Sequence, residues 1–180
     1  ALPLPLAAEL FVPVLDAVEA AHAAGVVHRD LKPDNVFLSR ESGRVVPKVL
    51  DFGVAKLTHM NGVVPVSMTT TATAPQMLLG TPAYMAPEQI VDGTHVDARA
   101  DVWALGVMLF ECLTGRLPYE AQNVGELFRA VVTTDPAPIE SLAPELPADV
   151  VALVHSMLAR DPQKRIAKVR EVRRVLARHT

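Results

Sequence analysis

Eight consecutive residues, His28-Arg29-Asp30-Leu31-Lys32-Pro33-Asp34-Asn35, gather side chains able to do chemistry, and Asp51-Phe52-Gly53 adds another carboxylate. Asn35 and Asp51 offer oxygen ligands of the kind a hard divalent cation prefers. Lys32 offers a compact positive charge, and Gly53 tolerates a tight backbone. Asp101 opens a run that is otherwise apolar, so it needs hydrogen-bonding partners if it is buried. His22, His59, His95 and His155 are scattered and show no metal-ligand spacing. Cys112 is the only cysteine, so no intrachain disulfide forms. It lies within Val102–Leu113 and reads as a small core residue, which suits a reducing cytoplasm.

The elements around these residues are readable from periodicity. Leu6, Leu10, Val14, Val18 and Ala21 recur at helical spacing, so a helix is expected over Leu6–Ala24 with Gly25 as its stop. Pro13 predicts a kink or local strain within it. Val36–Ser39 and Val45–Leu50, separated by Glu41-Ser42-Gly43-Arg44, read as a β-hairpin. Leu57–Leu79 has no convincing period and reads as a long loop, functional or mobile. A short helix is expected at Pro87–Val91. Asp97–Thr114 is apolar nearly all round and predicts a deeply buried helix capped by Gly115. Helices follow at Asn123–Thr133, Ala148–Ala159 and Val169–Arg178, with Pro136–Pro147 as a proline-rich surface loop.

Taken in order, His28–Asn35, Asp51-Phe52-Gly53 and Ala86-Pro87-Glu88 closely resemble the catalytic loop, metal-binding turn and activation-segment end of eukaryotic-type (Hanks-type) serine/threonine protein kinases. Asp101-Val102-Trp103-Ala104-Leu105-Gly106 resembles the start of that family's central helix. Asp161-Pro162-Gln163-Lys164-Arg165 resembles its late segment, whose arginine pairs with the glutamate ending the activation segment. The resemblance covers nearly the whole chain. It implies a mainly α fold with a small β-hairpin, the C-terminal lobe of a kinase. Residues 1–180 then form a partial kinase domain with a catalytic loop at 28–35 and an activation segment at 51–88. The Ala-, Val- and Arg-rich style, with Gln89 after Gly80–Glu88, is similar to bacterial members.

The resemblance assigns roles. Asp30 accepts the proton of the substrate hydroxyl, a task worth about 10²–10⁴-fold. Lys32 sits by the transferring phosphate. Asn35 and Asp51 hold Mg²⁺, while Lys32, Asp34, Asn35, Phe37 and Asp51 line the ATP site, Phe37 as the floor under adenine. Lys32 is also the serine/threonine mark, and Thr81, in Gly80–Met85, bridges Asp30 and Lys32. His28 and Phe52 are structural, as are Asp101, an anchor for the catalytic-loop backbone, and the Glu88–Arg165 ion pair. Leu78, Pro82 and Met85 make an apolar pocket for the residue after the target hydroxyl, and Asp34 and Glu111 favour a basic residue before it. Arg29 and Lys56 hold a phosphorylated loop, with Thr71 or Thr73 as the modified hydroxyl, because a phosphate pairs well with arginine. The position three before Gly80, often the phosphosite in the family, is Met77 here.

The family's glycine-rich loop, strand lysine, helix glutamate and hinge have no counterpart in the 180 residues, nor does the helix after the hinge. The expectation is a lobe awaiting an N-lobe, supplied in cis or by a partner chain, and transferring phosphate negligibly alone. A catalytically silent stand-alone lobe that binds partners and one half of a split kinase are the alternatives. The presence of Asp30, Lys32, Asn35 and Asp51 together favours an active parent.

Bulk composition agrees with a globular chain: 50% hydrophobic and 21% charged, with a net charge of −3. The basic stretch Lys164–Arg178 is interleaved with apolar residues and reads as a solvated helix face, so nucleic acid is not an expected partner; protein substrates bearing Ser or Thr are. No apolar run is long enough to span a bilayer, and Ala1–Leu15 lacks a basic leader region, so the expected location is cytoplasmic. An anchor outside this chain is compatible with that.

Overall fold

The computed structural model describes residues 1–41, 43–51 and 81–180, leaving aside the side chains of Thr81 and His95. The expected long loop Leu57–Leu79 lies outside the described residues.

Helix α1 spans Leu4–Ala23 and buries Ala7, Ala8, Phe11, Val14, Leu15 and Val18. It starts two residues earlier than periodicity suggests, with Pro5 in the first turn, where no intrahelical N–H is needed. It also runs through Pro13, which costs the Glu9 carbonyl its helical donor. Glu9 is exposed, so water can serve that carbonyl. The far end closes on Gly25, at φ 76°. There Gly25 N–H donates to His22 O and Val26 N–H to Ala21 O, a paired C-terminal cap.

A 3₁₀ turn at Pro33–Asn35 leads into β1, Val36–Glu41, which pairs antiparallel with β2, Arg44–Val49. The register sets Val36 opposite Val49 and Glu41 opposite Arg44. The strands are longer than expected at the turn because Glu41 and Arg44 join the ladder, with Glu41 also paired to Lys48. Gly43, at φ 83°, supplies the turn conformation that a side chain resists. β2 packs on α1 with Pro47 buried.

Helix α2 occupies Pro87–Val91 and α3 Arg99–Thr114. Every residue from Ala100 to Phe110 is buried, as a helix apolar on all sides must be. α3 begins two residues later than expected because the Asp97 carboxylate accepts the Arg99 N–H at 2.9 Å, ahead of the first turn. Gly115, left-handed at φ 72°, ends it with its N–H on Glu111 O. Helix α4, Val124–Thr133, is capped by Asn123, whose Oδ1 accepts the Glu126 N–H. The proline-rich stretch is not all loop: Ile139–Leu142 forms α5, whose Ile139 is wholly buried. Proline spacing hid this turn from the sequence reading. α6 (Ala148–Met157) and α7 (Val169–Leu176) complete the chain, with α1 packed on α7 and α3 packed on both α1 and α6. No helix among the described residues is long and apolar enough to cross a membrane.

The α3–α6 contact depends on Gly106. A Cβ there would meet Met157 Cβ at 2.8 Å and Leu158 Cδ2 at 3.1 Å. Alanine raises helix propensity by about 1 kcal/mol over glycine, but overpacking a core costs about 1–3 kcal/mol. The Cβ–Cβ clash involves no flexible side-chain end, so the clash wins. Gly106→Ala is expected to lower unfolding free energy by about 1–2 kcal/mol. Equal or higher stability of the variant in urea titration would refute the close packing.

Candidate active site

The site rests on Asp101 in the first turn of α3, 1% exposed. Its Oδ2 accepts the His28 N–H at 2.8 Å and faces His22 Nε2 at 2.8 Å. Its Oδ1 accepts the Arg29 N–H at 2.8 Å. A buried carboxylate in apolar surroundings persists only with such partners. His28, wholly buried, carries the restraint onward. Its Nδ1 faces the Asp30 N–H at 3.3 Å and must accept, so Nε2 carries the proton and donates to Leu50 O at 2.9 Å. One imidazole thus ties the His28–Asn35 segment to the residue before Asp51.

Two residues here adopt left-handed backbone without being glycine: Arg29 at φ 64° and Asp51 at φ 53°. Such conformations cost of order 1–3 kcal/mol each and survive only where surroundings over-determine them. Arg29 meets that condition. Its N–H is held by Asp101, its carbonyl by Gln89 Nε2 at 2.9 Å, and its guanidinium donates to Val96 O at 3.2 Å.

Beyond Arg29, Lys32 Nζ lies 3.3 Å from Asp30 Oδ2, both partly exposed. Asn35 Nδ2 donates to Asp30 O at 2.7 Å, which turns Asn35 Oδ1 away from the loop backbone. Asn35 O accepts the Leu50 N–H at 2.8 Å, one step beyond the Val36–Val49 pair. The hairpin therefore delivers Asn35 and the exposed Asp51 to the same open end. Asp34 is exposed beside them, and Phe37 is 57% exposed on β1. Two hard oxygen donors on separate segments fit Mg²⁺, which takes one or two protein oxygens and fills its shell from water and phosphate. No cluster of three or more His, Cys, Asp or Glu able to hold a metal exists among the described residues, so a protein-caged metal does not fit them.

The segment that carries Glu88 is held by a second buried charge. The Arg165 side chain is fully buried and forks onto Glu88 at 2.7 and 2.9 Å. Its other N–H groups donate to the carbonyls of Ala159, Arg99 and Arg160. All five donors of the guanidinium are thereby used. The cation also lies 5.0 Å from the Trp103 ring centroid, a cation–π contact. Preceding Glu88, Tyr84 in the 3₁₀ turn Thr81–Tyr84 donates its hydroxyl to Glu111 Oε2 at 2.7 Å. Burial, then the Glu111 carboxylate, push that phenol far above its usual range, so it stays a donor.

Phe52, Gly53, Lys56, Thr71, Thr73, Met77 and Leu78 lie outside the described residues, as does the side chain of Thr81. Two residues with clear positions went unassigned from sequence. His22 looked scattered, yet it meets Asp101 across the fold. Gln89 carried a readable signal: it stands three residues after Ala86, the cap residue before α2, where a Gln reaches back to the N-cap N–H.

A sequence model of the protein kinase domain matches residues 2–176. The chain is 43% identical to the serine/threonine-protein kinase Pkn1 of Myxococcus xanthus, over 96% of this chain and 24% of that protein. It is 39% identical to the serine/threonine-protein kinase PksC of Streptomyces coelicolor, over 96% of this chain and 29% of that protein. It is 36% identical to the serine/threonine-protein kinase PknB of Mycobacterium tuberculosis, over 96% and 26%. The chain thus spans about a quarter of the length of the curated relatives it matches.

Removing the Asp101 carboxylate orphans two backbone N–H groups and the His22 ring. Breaking such a buried set costs about 3–5 kcal/mol. Asp101→Ala is expected to lose that much in urea titration; a loss under about 1 kcal/mol would mean the loop is held elsewhere.

Proposed function

The chain belongs to the protein kinase domain family, and from that premise we propose that it forms the C-terminal catalytic lobe of a serine/threonine protein kinase, transferring the γ-phosphate of ATP to Ser or Thr hydroxyls of proteins once an N-terminal lobe completes the nucleotide site. The observation that carries this is the pinned loop on which Asp30 and Lys32 sit 3.3 Å apart while Asn35 is tied to the Asp30 carbonyl.

On that loop the Asp30 carboxylate takes the proton of the incoming hydroxyl and aims its oxygen in line with the phosphorus. Lys32, held against Asp30, sets a compact positive charge where the transferring phosphate passes. Asn35 Oδ1 and the Asp51 carboxylate hold Mg²⁺, which when bound neutralises charge on the phosphate oxygens. Asp34 flanks the nucleotide, and Phe37 offers its exposed face as the floor for adenine. Arg29, exposed, with Lys56, receives a phosphate on Thr71 or Thr73.

Substrate choice follows from the docking end. Pro82 and Met85, both half-buried, offer apolar surface for the residue after the target hydroxyl. Glu111, oriented by Tyr84, and Asp34 supply carboxylates that suit a basic residue before it. The reading of an incomplete nucleotide site is supported by Phe37, a large apolar side chain left 57% exposed on β1.

Asp30→Asn in the full-length protein is expected to slow transfer to a Ser/Thr peptide by about 10²–10⁴-fold while nucleotide binding persists. Transfer at the wild-type rate would remove Asp30 from the reaction. Glu111→Ala is expected to weaken preference for peptides with a basic residue before the target, read as a ratio of kcat/KM values between basic and neutral peptides; an unchanged ratio would dismiss Glu111 as a specificity group.

A further inference from the structure

We propose that Gln89 is a positioning residue for Asp30: its amide couples the end of the docking segment to the catalytic loop. This rests on the kinase function proposed above and adds to it a residue with no assigned role. Gln89 uses both ends of one amide. Its Oε1 accepts the Ala86 N–H at 3.0 Å, capping the start of α2. Its Nε2 donates to Arg29 O at 2.9 Å, 60 residues away in sequence.

That carbonyl is a consequential place to pull. Arg29 is left-handed, and the peptide that Gln89 grips is the one joining Arg29 to Asp30. Asp101 fixes the other peptide of Arg29 through its N–H. With both peptides held, the φ and ψ of Arg29 are determined, and so is the direction in which Asp30 leaves the loop. Release of the Gln89 end lets the Arg29–Asp30 peptide rotate toward ordinary backbone, and the Asp30 carboxylate moves with it. The same helix carries Glu88, the partner of Arg165, so α2 is a rigid base for the clamp.

The two ends of the amide can be separated by one atom. Gln89→Glu keeps an acceptor for Ala86 N–H, and a carboxylate suits a helix start. It sets an oxygen against Arg29 O, which abolishes the clamp. Gln89→Leu removes both contacts. In the full-length protein, Gln89→Glu is expected to keep the wild-type unfolding midpoint, keep KM for ATP, and lose about tenfold or more in kcat, the scale of one hydrogen bond in the barrier. Gln89→Leu is expected to lose kcat equally and to lower the midpoint as well. A Gln89→Glu kcat within twofold of wild type would overturn the proposal. Amide hydrogen exchange reads the clamp without turnover: the Asp30 N–H, held on His28 Nδ1, should exchange at least tenfold faster in Gln89→Glu. If the wild type transfers no phosphate, the kinase function fails, and exchange alone decides the clamp, an unchanged Asp30 rate refuting it.

Discussion

A carboxylate placed inside an apolar helix is the constraint on which this structure turns. Asp101 is surrounded by Ala100, Val102 and Trp103, all buried, and charge in such a setting demands donors. The fold supplies them from the least regular part of the chain, the backbone of His28 and Arg29, and from His22 at the end of α1. A loop with no period of its own thereby acquires one conformation. The need of the charge and the need of the loop are met by the same three hydrogen bonds.

The N-terminal turn of α3 also serves the Glu88–Arg165 pair. The Arg99 carbonyl accepts from Arg165, the Arg99 side chain holds Asp97 and the carbonyl of Pro162, and Trp103 lies against the Arg165 cation. Three residues of one helix, Arg99, Asp101 and Trp103, thus hold the segments that carry Asp30 and Glu88. Gly106, one turn on, lets α6 approach closely enough to lock that helix in place. Since Arg165 spends its whole fork on four partners, lysine cannot replace it without stranding some of them.

Much of this was legible because contiguous residues carried it. The octapeptide His28–Asn35 spells out its groups in order, and the long helices announce themselves through apolar spacing and glycine stops at Gly25 and Gly115. Boundaries moved where side chains intervened: Asp97 delays α3, Pro5 starts α1 early, and Glu41 with Arg44 lengthens the hairpin. α5 was hidden by its prolines. The pairs His22–Asp101 and Gln89–Arg29 join residues 79 and 60 positions apart, and no local pattern encodes a partner at that range. Gln89 announced half of its role, the cap, and kept the half that depends on tertiary placement.

The hairpin gives the two halves of the site unequal histories in chain entropy. Asn35 and Leu50 meet by closing a loop of fifteen positions, most of which is the ladder itself. Asp30 takes its direction only after His28 finds Asp101 across 73 positions. On a logarithmic closure cost the longer contact is dearer by about 1.4 kcal/mol. The placement of Asn35 beside Leu50 at the hairpin mouth is therefore a local product, present wherever the ribbon is formed. The direction of Asp30 is a product of the whole fold, and any loosening that reaches α3 withdraws it first.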